Sequence, residues 1–284
     1  MTTDAFATDQ QLPADEVASL LADRYGEAQP EDILSNAVIG RLLSHRSVRA
    51  FTADALPKNL LETLVAAAQS ASTSSNLQVW SVVAVEEPSH KAELATLAGD
   101  QDFIRQAPLF LIWLADLSRV HALGKAHGAA VEGTEYLESF VLGVVDAALA
   151  AQNAVVALES LGLGAVYVGA IRNHPQQVSE RLKLPPSVFP VFGLAIGYPD
   201  PQKPAFVKPR LPQAAVLHRE TYDASHQPAA VETYDKVFEA FWQGQGLSHP
   251  LWSQQVLSRL GQAAALKGRD RLAEVARALG FPLR

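Results

Sequence analysis

The spacing of apolar residues along the chain predicts an alternation of helices and strands. Leucine, valine and alanine recur at helical spacing between Pro57 and Gln69, which predicts a helix over that range. Continuous apolar runs at 79–85 and 108–117 predict strands, and the second run should be buried on both faces. Charged and amide side chains interrupt the most apolar stretch, 136–164. Because these groups would be costly in lipid, we predict a buried helix there and not a membrane span.

Shorter patterns predict further helices and strands. The additional helices are expected over 14–25, 91–97 and 175–182, and the additional strands over 165–171 and 191–197. Asn36 can cap a helix that runs into a basic cluster at 45–49. Prolines are dense from 198 to 212, so that segment should lack regular structure, and C-terminal helices are expected at 231–242 and 251–279.

The order of these elements does not follow a strict βαβ rhythm and therefore favours an α+β fold. We expect residues 1–30 to form an N-terminal extension that is partly helical or flexible. Residues 31–284 should form a single domain with a C-terminal helical arm. Residues 1–11 lack the basic and apolar regions of a secretion signal, so we expect a cytoplasmic protein.

Composition narrows the functional classes. The net charge of −7 argues against non-specific nucleic-acid binding, which requires a broad cationic surface. The 284 residues include no cysteine, which excludes disulfides, thiolate metal sites and a cysteine nucleophile. The histidines lack the spacing of a metal site, and there is no G-x-S-x-G motif for a serine nucleophile.

Four local patterns suit a polar ligand, and each also has an ordinary structural explanation. The basic segment 45–49 can bind a phosphate or simply complement a helix end. The hydroxyl-rich loop 72–76 offers hydrogen-bond donors to a ligand, although such a segment is more often an ordinary loop. The small residues of 162–170 permit close approach of a flat ligand or tight packing. Segment 208–212 contains two cations whose backbone is restricted by prolines. It can be a ligand site or only a rigid segment that crosses the surface.

Taken in order along the chain, these patterns resemble the nitroreductase superfamily. The resemblance rests on HRSVRAF, ASTSSNLQ, LAGDQ, QNAVVALESLGLGAVYVGAIRN and LKLPPSVFPVFGLAIGYP followed by KPRLP, and it covers about residues 38–212. More narrowly, the segments are similar to those of NADPH-dependent nitroreductases and flavin reductases that bind FMN tightly. The resemblance implies an α+β fold with a central, mainly antiparallel sheet flanked by helices, assembled as an intertwined homodimer with FMN at the subunit interface.

The resemblance also implies which residues bind FMN. The set that would hold the phosphate and ribityl chain is His45, Arg46, Ser47, Lys208 and Arg210. The set that would line or bond the flavin ring is Arg49, Gln101, Tyr167, Val168, Gly169 and Ala170. The hydroxyl loop of the other subunit would add Thr73, Ser74 and Ser75. No catalytic acid, catalytic base or metal is expected, because the cofactor carries the chemistry.

The implied activity is that of an FMN-dependent oxidoreductase with ping-pong kinetics. It would pass electrons from NADPH or NADH through bound FMN to flat aromatic oxidants such as nitroaromatics, quinones or free flavins. Two alternatives stay open: specialised flavin chemistry on the same fold, such as dehalogenation or flavin fragmentation, and a non-catalytic flavin-binding protein. Segment 243–250 has no lysine or arginine where NADPH-using members carry a basic run, so we expect weak discrimination between NADPH and NADH.

Overall fold

The computed structural model describes residues 12–26 and 33–284. The chain divides into two compact units, one of residues 1–46 and 206–265 and the other of residues 47–205 and 266–284. Residues 1–11 and 27–30 of the predicted extension lie outside the described residues.

Eleven α-helices lie within the described residues. They are α1 (Ala14–Tyr25), α2 (Ala37–Leu43), α3 (Leu60–Gln69), α4 (Pro88–Leu97), α5 (Asp102–Gln106), α6 (Ser118–His127), α7 (Leu137–Ser160), α8 (Pro175–Leu182), α9 (Gln227–Gly244), α10 (Trp252–Leu260) and α11 (Leu272–Ala278). The smaller unit contains α1, α2, α9 and α10, and the larger unit contains the other seven.

The larger unit is built on a four-stranded sheet. Its strands are β1 (Trp80–Val85), β2 (Leu109–Asp116), β3 (Gly164–Val168) and β4 (Val188–Gly197). Their order is β1-β2-β4-β3, and each neighbouring pair is antiparallel. The predicted α+β fold with a mainly antiparallel sheet flanked by helices is therefore confirmed.

Strand β2 lies between two apolar cores because its side chains alternate between the faces of the sheet. Leu109, Leu111 and Trp113 belong to a cluster that includes residues of α3 and α7. Phe110 and Ile112 belong to a second cluster that includes residues of α4, α5 and α8. All eight residues of β2 are buried, as its continuous apolar run predicted.

Helix α7 is long and apolar enough, by length and composition alone, to cross a membrane. It instead packs against α3 and β2, and it buries a row of alanines that permits close contact with the sheet. Those alanines are Ala147, Ala150, Ala151 and Ala154. The predicted helix over the most apolar stretch is confirmed, and one of its faces is buried against the sheet.

Several predicted boundaries differ from the structure, and three of them differ for a clear local reason. Helix α3 begins at Leu60 and not at Pro57, because Asn59 precedes it in a left-handed conformation with φ of 64°. Strand β3 ends at Val168, where the chain turns into the 3₁₀ helix Gly169–Asn173. The C-terminal stretch is divided between α10 and α11 by short 3₁₀ turns, with Gly268 at φ of 85° between them.

Candidate functional site

The second half of the basic segment lies beside β3. Ser47 forms a parallel bridge with Ala165, and the backbone N–H of Val48 donates to the carbonyl of Ala165 at 2.9 Å. A Cβ atom added at Gly164 would lie 2.5 Å from Cγ2 of Val48. The glycine at the start of β3 therefore serves close packing of the basic segment against the strand.

Arg49 and Tyr167 follow this bridge in their respective segments. The two segments run in the same direction from the bridge. Arg49 lies two positions beyond Ser47, and Tyr167 lies two positions beyond Ala165. Tyr167 is the only exposed residue of β3, yet burial of its hydroxyl, and then the charge of Glu159, raise its pKa. Arg49 also reaches solvent, and desolvation by the surrounding protein lowers its pKa. Each of the two side chains is therefore partly open to solvent and partly shielded by the surrounding protein.

The two side chains supply a positive charge and an aromatic ring. In the part of the chain that the structure describes, Arg49 makes no hydrogen bond or ion pair, so its guanidinium is available to a ligand oxygen. The Tyr167 ring packs edge to face on Phe192 with centroids 5.2 Å apart, and its hydroxyl lies 3.3 Å from Oε1 of Gln152. Beyond Tyr167, Val168 is buried, and Gly169 and Ala170 are half-buried.

The hydroxyl loop is fastened to α7 by a buried carboxylate, Asp146. Its Oδ2 accepts from the Thr73 hydroxyl at 2.5 Å and from the Val79 N–H at 3.2 Å, and its Oδ1 accepts from the Ser74 N–H at 3.3 Å. The Thr73 hydroxyl also accepts from the N–H of Gln78 at 2.9 Å. Thr73 therefore holds the loop, whereas the side chains of Ser74 and Ser75 are exposed.

Gln101 lies at a tight turn immediately before α5. Gly99 and Asp100, the two residues before it, have positive φ values of 81° and 58°. Its side-chain Nε2 donates to the carbonyl of Ala98 at 2.9 Å, which fixes the orientation of the half-buried amide. The turn thus presents Gln101 in one conformation.

In the smaller unit, the buried side chain of Arg24 joins the two cationic segments, defined as 45–46 and 208–210. Its Nη1 donates to the carbonyl of Lys208 at 2.9 Å, and its Nη2 donates to the carbonyls of His45 at 2.8 Å and Leu43 at 2.5 Å. Its own carbonyl accepts from the N–H of Arg210 at 2.7 Å. One guanidinium therefore brings together segments that are far apart in sequence.

The second cationic segment is held rigidly between α1 and α9. The carbonyl of Pro209 accepts from the hydroxyl of Tyr234 at 2.8 Å, and burial raises the pKa of that tyrosine. The guanidinium of Arg210 donates to the carbonyls of Lys208 and Pro209, both at 3.1 Å. The ammonium group of Lys208 lies 5.3 Å from the centroid of the Trp242 ring. The prolines alone suggested this rigidity, and the hydrogen bonds explain it.

A cavity of about 360 Å³ lies at segment 243–250, which lacks the basic run that NADPH-using family members carry. It is lined by Glu239, Gln243, Gly246, Leu247, Ser248 and His249. His249 stacks on Trp242 with ring centroids 4.4 Å apart and an interplanar angle of 5°. Among the residues that the structure describes, the lining of this cavity contains no lysine or arginine and one carboxylate, so weak discrimination between NADPH and NADH stays our prediction.

Sequence reasoning missed the two residues that organise these features. Asp146 appeared only as a polar interruption in an apolar stretch, and Arg24 appeared only in a helix of the extension. A buried charge inside an apolar helix is a usable signal, because such groups are rarely buried without partners. Arg24 has no comparable signal, since it lies in a polar segment.

Comparison with known proteins reveals similarity over most of the chain. Residues 42–198 match the model of the nitroreductase family, and residues 208–284 match the model of that family's C-terminal domain. The chain is 39% identical over 251 residues to the FMN reductase (NADPH) of Bacillus subtilis, covering 87% of this chain and 98% of that protein. It is 37% identical over 227 residues to the NADPH-flavin oxidoreductase of Vibrio harveyi, covering 79% and 91%.

Solved structures give the same picture. The structure of NfrA1 nitroreductase from B. subtilis has a TM-score of 0.81 and 38% identity, covering 86% of this chain and 99% of that one. The NADPH:FMN oxidoreductase from Vibrio harveyi complexed with NAD+ has a TM-score of 0.78 and 33% identity, covering 88% and 100%.

Proposed function

The chain belongs to the nitroreductase family, and we propose from this that it is an NAD(P)H-dependent FMN oxidoreductase. It takes electrons from NADPH or NADH and reduces flat small molecules such as nitroaromatics, quinones or free flavins. One observation in the structure carries the proposal: the Arg24 guanidinium binds the carbonyls of both His45 and Lys208. The two segments whose cations were expected at the FMN phosphate are thereby brought together.

The residues present suit a phosphate-bearing flavin. His45, Arg46, Lys208 and Arg210 supply a group of cations and protonatable side chains, and arginine can bind two phosphate oxygens at once. A phosphate is the ligand group that such a cluster recognises best. We therefore assign the FMN phosphate to the cationic segments, with Ser47 next to them in the chain.

The surface around Tyr167 suits a flat ring. Arg49 is assigned to the pyrimidine side of the flavin, where its positive charge would stabilise negative charge that develops there. Tyr167 and the small residues Gly169 and Ala170 leave the surface shallow enough for an aromatic system to lie against it. The exposed hydroxyls of Ser74 and Ser75 and the amide of Gln101 are assigned to polar edges of the cofactor.

FMN, when bound, supplies the two-electron redox chemistry. The chain's own groups then bind the cofactor, orient it and polarise it. No side chain is assigned the role of an acid or base, because the cofactor carries the chemistry. The single-domain extent over 31–284 and the cytoplasmic location stay predictions.

The proposed function is tested on freshly purified protein. We expect a yellow protein that releases FMN on denaturation and oxidises NADPH or NADH when a quinone or nitroaromatic is supplied, with parallel double-reciprocal plots. Chromatography identifies the flavin, and absorbance at the nicotinamide band gives kcat/KM for both nucleotides. Release of FAD or of no flavin contradicts the proposal, and FMN without turnover would indicate a flavin-binding protein.

We also propose that the protein is a homodimer. The support is a stripe of exposed apolar residues along α7 at intervals of four, so that they share one helix face. They are Leu137, Val141, Val145 and Leu149, each 44–52% exposed in the isolated chain. A contiguous exposed apolar surface of this kind is typical of a protein interface. The family resemblance led to the same expectation from the C-terminal helices.

Placing a carboxylate in this stripe should break the dimer. We expect Val145→Glu to sediment at the 30.5 kDa mass of one chain at micromolar concentration, whereas the unsubstituted protein sediments at twice that mass. Leu123→Glu is the matched control, because it adds the same charge to an exposed leucine of α6 outside the stripe. A Val145→Glu protein that remains dimeric would move the interface elsewhere, for example to the exposed Leu257 of α10.

A further inference from the structure

Helix α1 carries a buried arginine although it lies outside both ranges that match the family. Arg24 is 5% exposed. Its side chain and backbone make four hydrogen bonds to the chain at Leu43, His45, Lys208 and Arg210. Three of these four residues, His45, Lys208 and Arg210, belong to the cationic segments, and Arg24 binds each of them through its backbone. Arg24 therefore fixes where the segments lie and leaves their side chains unused.

The second cationic segment is bracketed by Arg24. The carbonyl of Lys208 accepts from the Arg24 side chain, and the N–H of Arg210 donates to the Arg24 carbonyl. Pro209, between them, has a fixed φ and a carbonyl bound by Tyr234. The three residues therefore have little freedom to change the separation of their two cations.

The first cationic segment depends on the same guanidinium. Leu43 is the last residue of α2 and His45 lies two residues beyond it, in a region where backbone carbonyls have no helical partner of their own. The planar fork of arginine reaches both of them and the carbonyl of Lys208 at once. A side chain with fewer or differently arranged donors would leave at least one of these carbonyls without its partner.

We infer that Arg24 is a positioning residue for the phosphate end of FMN, an inference that rests on the proposed function. It makes α1 a working part of the phosphate site and not an appendage. Arg24 acts by holding the backbones of the cationic segments at one separation. Loss of Arg24 should weaken binding of the phosphate and spare binding of the ring.

The experiment compares FMN with riboflavin, which has the same ring but lacks the phosphate. Flavin is removed from the full-length protein, and both ligands are titrated by quenching of their fluorescence. For Arg24→Met we expect the Kd of FMN to rise at least about tenfold while the Kd of riboflavin changes less than about twofold. Arg41→Met is the matched control, because it removes an exposed arginine of α2 and should change neither Kd.

Arg24→Lys provides a graded variant, because lysine keeps the charge but lacks the planar fork. We expect it to recover part of the FMN affinity that Arg24→Met loses. If Arg24→Met fails to fold by far-UV circular dichroism, Arg24→Lys decides: its FMN affinity must fall at least about threefold relative to riboflavin.

Several outcomes overturn the inference. An unchanged Kd for FMN would show that the cationic segments do not need Arg24. An equal loss for FMN and riboflavin would show general structural damage. If the unsubstituted protein binds neither flavin, the proposed function itself fails, and that result is visible before any variant is compared.

Discussion

Replacing Asp146 by alanine should lower the free energy of unfolding by about 3 kcal/mol or more. The substitution leaves the Thr73 hydroxyl and the N–H groups of Ser74 and Val79 without their acceptor. Donors bound to a charged acceptor lose about 1.5–3 kcal/mol each, and the Val79 N–H is buried. Alanine favours helix, so the loss cannot come from the helical propensity of α7. Urea unfolding of the flavin-free protein, at one protein concentration, measures it.

The matched control for Asp146 is Glu138→Ala, which removes an exposed carboxylate from the same helix. It should change the unfolding free energy by less than about 1 kcal/mol. If Asp146→Ala also costs less than about 1 kcal/mol, the hydroxyl loop must be held by other contacts, and the role given to Asp146 is wrong.

Removing both cations of the second segment should strongly weaken binding of FMN. For Lys208→Ala combined with Arg210→Ala we expect a loss of at least about 2 kcal/mol, which is roughly a thirtyfold rise in Kd. The physical reason is that a phosphate forms charge-assisted hydrogen bonds with these side chains, and the rigid backbone between Arg24 and Tyr234 presents them at little entropic cost. Fluorescence titration of the flavin-free protein gives the Kd.

A control with the same loss of charge separates local contacts from net charge. Lys203→Ala combined with Arg219→Ala also removes two cations, and both of those residues are exposed. It should leave the Kd of FMN within about twofold of the unsubstituted protein, because screened distant charges contribute little. If the two double variants behave alike, Lys208 and Arg210 do not contact the phosphate.

Elements with strong local signals were predicted accurately from the sequence. Helix α1 spans the predicted Ala14–Tyr25 and is followed by Gly26 with φ of 59°. Helix α8 spans the predicted Pro175–Leu182, because proline suits a first helical turn. The apolar run that forms β2 was also identified, since a strand buried on both faces has an apolar residue at every position.

The interactions that organise the candidate site could not be predicted, because they depend on distant parts of the chain. The carbonyl partners of the Arg24 side chain lie 19, 21 and 184 positions away. The donors to Asp146 lie 67 to 73 positions away. Periodicity and capping rules describe neighbours along the chain, so they identify the helices that carry these residues but not what the residues bind.

Residues 47–51 also cover part of the edge of the sheet, which affects solubility. Strand β3 is at the edge of the sheet, and an uncovered edge strand can pair with another chain and start aggregation. The segment covers part of that edge through the bridge from Ser47 to Ala165 and continues with a bridge from Phe51 to Pro199. Residues 47–51 therefore shield part of this edge from pairing with another chain, in addition to the ligand-binding role proposed for Ser47 and Arg49.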